Sequence, residues 1–450
     1  MRGAIAAGHP LTAQAGADVL AAGGNAVDAC VAAAFVSWVC ESMLTGPGGG
    51  CFFLVHAGGE SVVFDAFVVV PRELSAAELV ELVVDFDGDT QQRFRTGAAA
   101  VAVPGTALGL EAAHGRFGSL PWAELVAPAV RLAREGVELT AAQAYLHKIL
   151  DSLLRHSVEG DALYGGRMLR AGDVLVLSDL AGTLERIAAG GAGVLYRGEL
   201  AAAIAAHVPV SVEDLSSYAV IERSPHALPF RGHEFLTNPP PSSGGELIGV
   251  GLQALGDAEP TAEAIVCAMH AQEAARAAAV GGTTHISVVD ARGDCASLSA
   301  SLGSGSGVVV PGTGIHLNNM LGEADLLAGA RPGERLTSMM APSLVLRDGR
   351  PRLVIGSAGS ERLRGAVLQV VANVVGRGMG VRDAVDAPRL HVDGELVFVE
   401  PGIELEREGL VRFGRQNVFF GGASAVEVGE SGELAAAGDP RRGGAGVVVP

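Results

Sequence analysis

The sequence predicts an α+β protein whose first half is mainly helical, with strands near the start and again in the last third. Three observations carry this reading. Apolar residues recur at helical spacing through much of the stretch between 11 and 207. Short β-branched runs bounded by turn residues occupy 51–70 and then cluster after Thr283. Hydrophobic residues make up 49% of the 450 residues and charged residues 18%, so the chain can bury a core sufficient for one large domain or two ordinary ones. Aromatics are only 4%, which leaves alanine, valine, leucine and glycine to fill that core, and the 63 glycines point to many tight turns and close backbone approaches.

Taken in order, 11–22 reads as a helix stopped by Gly23-Gly24. Asn25 is placed to cap a second helix, 26–39, which is apolar nearly all round and is therefore expected to be buried. The glycine run 46–50 breaks it. Strands 51–55 and 62–70 follow around a turn at Gly58-Gly59. The glycine run lacks the spacing of a phosphate-cradling loop. A strand is expected over 101–105, ended at Pro104, then helices over 106–117, 122–135, 140–156, 180–189 and 200–207. A strand over 230–236 leads through the proline-rich turn 238–245 into another helix. Beyond the central hairpin, 301–307 fits either a flexible linker or a glycine-rich active-site loop, and the strands on both sides favour the loop. Hairpin strands over 344–355 turn at 347–349, a helix spans 363–376, and late strands cover 397–399 and 425–428.

The chemistry centres on Gly281-Gly282-Thr283-Thr284-His285-Ile286-Ser287-Val288-Val289-Asp290. Thr283 opens a strand behind two glycines, the turn 291–294 closes it, and a second strand runs over 295–301. A threonine hydroxyl needs a base beside it. If the chain is cut between Gly282 and Thr283, the freed α-amine, with a pKa of about 7.7–8.0, serves as that base. The same residues also fit a plain loop entering a strand.

Composition excludes several classes. A net charge of −18 argues against nucleic acid and against an anionic membrane surface as partners. The five cysteines (Cys30, Cys40, Cys51, Cys267 and Cys295) are odd in number and show no CxxC spacing. They read as buried, reduced thiols, and a reducing compartment, the cytoplasm, is expected. No cluster with metal-ligand spacing occurs, no secretory signal is visible, and the longest apolar run, 29–40, is too short to span a bilayer.

Several stretches together resemble the γ-glutamyltranspeptidase family of N-terminal-nucleophile hydrolases. Thr283-Thr284-His285-x-Ser287-Val288-Val289-Asp290 resembles its processing-site motif. Gly314-Ile315-x-Leu317-Asn318-Asn319, Arg335-Leu336-Thr337-Ser338-Met339-Met340-Ala341-Pro342 and Gly356-Ser357-Ala358-Gly359-Ser360 resemble motifs of its small subunit. His9-Pro10-Leu11, Gly23-Gly24-Asn25-Ala26-Val27-Asp28-Ala29, Leu120-Pro121-Trp122, the run 238–245, Asp386-Ala387-Pro388-Arg389-Leu390-His391 and Gly438-Asp439-Pro440-Arg441-Arg442-Gly443 extend the likeness collinearly over almost the whole chain. The resemblance implies a four-layer αββα sandwich, two mostly antiparallel sheets between helical layers.

It also implies an autoprocessing enzyme. Thr283 attacks the Gly282 carbonyl and leaves a large chain, 1–282, and a small chain, 283–450, from one precursor. The mature Thr283 then attacks a small-molecule amide, a γ-glutamyl amide such as glutathione, and passes the acyl group to water or an amine acceptor. No cofactor and no metal is implied. By the same resemblance the backbone N–H groups of Gly359 and Ser360 stabilise the oxyanion, and Ser301 bonds the nucleophile's amine. Thr337 and Ser338 hold the substrate carboxylate, while Asn319 and Glu323 lie at the headgroup. The chain departs from the family at Asp65-Ala66-Phe67-Val68-Val69-Val70-Pro71, where Phe67 stands in place of a carboxylate-binding arginine. It departs also at Gly303, Met320 and Ser360, and in a shorter segment between 245 and 283. Three readings stay open: γ-glutamyl transfer or hydrolysis, an amidase or acylase of the same fold for a non-glutamyl acyl group, and an uncleaved, non-catalytic homologue.

Overall fold

The computed structural model describes residues 2–75, 77–86, 88, 91–275, 283–322 and 331–450. Two antiparallel sheets lie at its centre. The first runs in the spatial order Ala445–Val449, Gly3–Ala7, Thr284–Asp290, Cys295–Ser301, Gly50–Ala57, Glu60–Ala66, Ile221–Arg223. The second runs Leu434–Gly438, Gly422–Val428, Arg350–Ala358, Ser343–Arg347, His233–Thr237, His226–Phe230.

The alternation of side chains along each strand sorts them into two cores. From the first sheet Ile286, Val288, Ala296, Leu298, Phe53 and Val55 join the core shared with the helices Pro10–Ala21 and Ala26–Cys40. Val289, Cys295, Phe52 and Leu54 point the other way, into the core that also holds Val354 and Val426 of the second sheet. The outer face of the second sheet is covered by the helices Gly244–Leu255 and Arg362–Val371, with Ala262–Ala274 packed beside them. Helices, sheet, sheet and helices therefore stack in that order, as expected.

Most helices sit where the pattern puts them. Asn25 forms a capping box with Asp28 at the start of Ala26–Cys40, all of which is buried, and Thr140 does the same with Gln143 at the start of Ala141–Leu154. Thr106–Phe117 and Trp122–Glu135 match their expected bounds.

Four expectations are corrected. No strand forms over 101–105. Val103 makes a single bridge to Val69, and the amide and carbonyl of Ala102 are taken by the Asn318 side chain, so a side-chain amide replaces a strand partner. The expected strand 230–236 is a hairpin, His226–Phe230 and His233–Thr237, turning at Arg231 (φ 49°) and Gly232 (φ 73°). The strand expected to reach residue 70 ends at Ala66. Of the five cysteines, all unpaired, Cys267 is exposed rather than buried. The strands Gly3–Ala7 and Ala445–Val449 were not expected, because alanine and glycine give the first no β signal. Among the described residues no helix is long and apolar enough to cross a membrane, and no group of three His, Cys, Asp or Glu side chains is placed to hold a metal ion.

Candidate active site

The strand registers bring the candidate residues to one end of the sandwich. Thr284 pairs with Ala300 and Ser301 with Gly50, so Thr283, Ser301 and the glycine run lie together at the same edge of three neighbouring strands. Gly3–Ala7 ends beside them, since Ala7 pairs with Ile286. From the second sheet, Arg350–Ala358 leads directly into Gly359 and Ser360. The glycine at 49 is required by close approach rather than by an anion: a Cβ there would lie 2.3 Å from the Ser301 carbonyl oxygen.

Thr283 is 2% exposed, and its carbonyl accepts a hydrogen bond from Arg442 Nη1 at 3.2 Å. Arg442 belongs to a turn fixed by buried charge. Arg389 pairs with Asp439 at 2.6 Å, Arg441 Nε donates to Glu400 Oε1 at 2.7 Å, and Asp439 Oδ2 accepts from Ala423 N at 2.8 Å. Burial pushes the Asp439 carboxyl up, but Arg389, Arg441 and the backbone donors outweigh it and hold the group below its usual range. Burial also pulls the Arg442 guanidinium down to about 10, against the opposing pull of Asp439 and Glu41.

Gly359 has φ 126° and Ser360 φ 56°, so the serine takes a left-handed backbone that suits glycine. A Cβ on Gly359 would meet the Gly421 Cα at 2.7 Å and the Arg442 Nη2 at 3.7 Å. The 359–360 turn therefore lies near the guanidinium that holds the Thr283 carbonyl.

Ser301 is 1% exposed, and its hydroxyl accepts from Gly303 N at 2.7 Å. The 301–307 segment is an ordered loop, not a linker: Leu302 N donates to Leu44 O, Ser306 N to Leu317 O, and Gly97 N to Ser306 O. Asn319 is part of that scaffold. Its Oδ1 accepts from Ser304 N at 2.9 Å and its Nδ2 donates to Ser304 Oγ at 2.8 Å and Arg95 O at 3.1 Å, so this buried amide is committed to the loop. Thr337 is half-buried. Ser338 Oγ accepts from Met340 N at 3.1 Å, and its carbonyl takes Ser243 N, Gly244 N and Ser242 Oγ from the proline-rich turn. Gly282 and Glu323 lie outside the described residues.

Phe67 is 1% exposed and stacks on Phe52 with ring centroids 5.4 Å apart. It shares an apolar cluster with Met320, Leu336 and Met339. Arg335 takes no part in that apolar patch but fixes it, donating to the carbonyls of Asp65 (3.0 Å) and Phe67 (2.8 Å) and to the Tyr218 hydroxyl (2.6 Å). The 65–71 and 335–342 motifs are thereby one unit.

Sequence reasoning missed Glu41 and Arg442 as parts of this site. The available signal for Glu41 was a lone acid closing a fifteen-residue apolar helix; for Arg442 it was an arginine pair in a closing motif. His285, two residues after Thr283, is a different case. Its ring nitrogens bond Ser299 Oγ (2.8 Å) and Ser287 Oγ (3.0 Å) in the seam between the sheets, and burial lowers its pKa to about 3.

A two-sheet sandwich with a threonine at the head of a central strand, and a turn of the opposing sheet beside it, is the architecture of an N-terminal-nucleophile hydrolase. The γ-glutamyltranspeptidase family model matches residues 12–264 and 256–449. The acylase ACY 1 proenzyme of Pseudomonas sp. (strain SE83) is 32% identical, over all of this chain and 94% of its own length. The glutathione hydrolase proenzyme of Pseudomonas aeruginosa is 30% identical over 99% and 94%. The cephalosporin acylase structure from Bacillus halodurans superposes with a TM-score of 0.86 at 26% identity, covering 99% of this chain and 95% of that one. The chain belongs to the γ-glutamyltranspeptidase family and is an enzyme of that hydrolase and transferase class.

Proposed function

We propose that the chain cuts itself between Gly282 and Thr283, giving a large subunit, 1–282, and a small subunit, 283–450. The mature Thr283 then cleaves γ-glutamyl amides. The observation that carries this reading is the convergence of Thr283, Ser301 and the 359–360 turn on one edge of the sandwich, with Arg442 bonded to the Thr283 carbonyl and lying near the turn. In cleavage the Thr283 hydroxyl adds to the Gly282 carbonyl, the peptide nitrogen leaves as the new α-amine, and water hydrolyses the ester. In turnover that amine takes the hydroxyl proton as the oxygen attacks the substrate amide and returns it to the leaving amine. The N–H groups of 359 and 360 are the donors for the oxyanion, and Thr337 and Ser338 border the headgroup. The resulting ester is released by water or by an acceptor amine. Glu323 and Asn319 stay in this reading as headgroup neighbours, with Asn319 acting through the loop that it ties.

A second reading rests on Phe67. Where a carboxylate clasp would stand, a buried phenyl ring stacks on Phe52 in a cluster with Met320. An apolar lining favours an acyl group without the charged glutamyl headgroup. Loss of a charge-assisted contact is worth about 1.5–3 kcal/mol, which is roughly 10- to 150-fold in kcat/KM. Turnover of γ-glutamyl anilide against a panel of uncharged acyl anilides decides between them. The γ-glutamyl reading expects that substrate to lead and added dipeptide to give ping-pong kinetics. Preference for an uncharged acyl chain by tenfold or more selects the acylase reading, and no turnover of any amide by the cleaved protein overturns both.

Cytoplasmic residence is part of the proposal, supported by the five unpaired thiols. Cell fractionation checks it; recovery outside the cytoplasm contradicts it.

A further inference from the structure

Glu41 lies in none of the roles assigned above. It ends the apolar helix Ala26–Cys40 and is 4% exposed. Its Oε2 accepts from Thr284 Oγ1 at 2.6 Å and its Oε1 from Thr12 Oγ1 at 3.1 Å. Room is left for the carboxyl at Gly8, where a Cβ would sit 2.5 Å from Glu41 Oε2 and 3.0 Å from Thr284 Oγ1. The charged or titratable groups acting on it are Arg442, the same guanidinium that bonds the Thr283 carbonyl, and the neighbouring Cys40 thiol.

Consecutive residues are thus tethered from two sides. Thr283 is held through its carbonyl by Arg442, and Thr284 through its hydroxyl by Glu41. We propose that Glu41 is a positioning residue for the nucleophile, fixing the 283–284 backbone during both self-cleavage and turnover through the Thr284 hydroxyl. The inference rests on the reading of Thr283 as the nucleophile.

A carboxyl buried in this way is costly to ionise. Burial raises the Glu41 pKa above its ordinary value, and the two hydroxyls and Arg442 only partly oppose the rise. The folded state therefore holds the proton more tightly than the unfolded chain. Stability is fully present below the ordinary carboxyl pKa and declines as pH rises through the raised one. Replacing the acid by a neutral amide should thus favour the fold at neutral pH, which separates positioning from a plain structural role. A structural contact, when lost, lowers stability and activity together.

The test compares Glu41→Gln, Glu41→Ala, Thr284→Val and the Glu41→Ala/Thr284→Val double variant in the full chain. Self-cleavage and amide turnover are measured per folded molecule, together with the melting temperature at pH 7.5. The expected result is a fall of at least tenfold in cleavage rate and kcat for Glu41→Ala and for Thr284→Val, with KM within threefold. The double variant should be no worse than either single one, and Glu41→Gln should melt no lower than wild type while still turning over more slowly. Wild-type rates in folded Glu41→Ala or in folded Thr284→Val overturn the inference, as do fully multiplicative effects in the double variant. Should Glu41→Ala not fold, Thr284→Val alone carries the decision. A Thr283→Ala control keeps the underlying reading separate: cleavage in that variant refutes the nucleophile assignment, whatever Glu41 does.

Discussion

His285 follows the candidate nucleophile by two positions and carries the side chain most often used as a base, yet it is bonded to Ser287 and Ser299 and held uncharged. The α-amine reading therefore expects kcat/KM to rise with pH through about 7.7–8.0, and a rise centred near 6.5 would instead implicate a histidine. Burial acts likewise on His9, His147 and His316, each lowered to about 4. The unfolded chain takes these protons near 6.5 and the folded chain does not until near 4 or below, so their contribution to stability is whole above pH 6.5 and lost as the pH falls. The melting temperature should drop between pH 7 and pH 5, and a flat profile would contradict the buried, neutral placement. Ser360 is a second residue-scale case. Its left-handed backbone costs on the order of 1 kcal/mol, so Ser360→Gly should keep activity and melt at or slightly above the wild-type temperature. Ser360→Val should lose at least ~1 kcal/mol and slow turnover, because a β-branched residue resists that dihedral. Equal behaviour of the two variants would show that the dihedral is unimportant.

Among the elements, the loops around the site are held by side-chain amides more than by strand pairing. Asn318 alone donates to Gly48 O and Ala102 O and accepts from Ala102 N and Met320 N. Asn318→Ala leaves several buried backbone groups unpaired at about 1–3 kcal/mol each, and thermal unfolding should show a loss of at least ~3 kcal/mol; a loss under 1 kcal/mol would mean that water replaces the amide. This explains what the sequence disclosed and what it withheld. Helices such as Ala26–Cys40 and Ala141–Leu154 were legible because local signals define them, a capping residue in each, with an unbroken apolar run in the first and an apolar period in the second. The 101–105 segment was misread because its partner is an amide more than 200 residues away. The hairpin at Arg231-Gly232 was missed because arginine gives no hint of a positive φ. The candidate site follows the same rule. Thr283, Gly359 and Ser360 stood out through motifs, whereas Glu41 and Arg442 acquire meaning only when the chain's two ends meet the central strand.

Across the whole molecule, that meeting is topological. Gly3–Ala7 lies between Ala445–Val449 and Thr284–Asp290, and Cys295–Ser301 pairs with Gly50–Ala57. After a cut at 282–283 the two subunits would share one sheet, so they should co-elute on gel filtration and part only in denaturant; separation under native conditions would contradict that strand order. The first strand drew no attention in the sequence because its alanines and glycine carry no β signal and its partners lie at the centre and the opposite end of the chain. Autoprocessing at Thr283 is the central claim, and the denatured mass with N-terminal sequencing tests it most directly. Wild type should give two chains, 1–282 and 283–450, the smaller beginning Thr-Thr-His, while Thr283→Ala stays whole. A single intact wild-type chain after prolonged incubation, or cleavage at any other bond, would contradict the account.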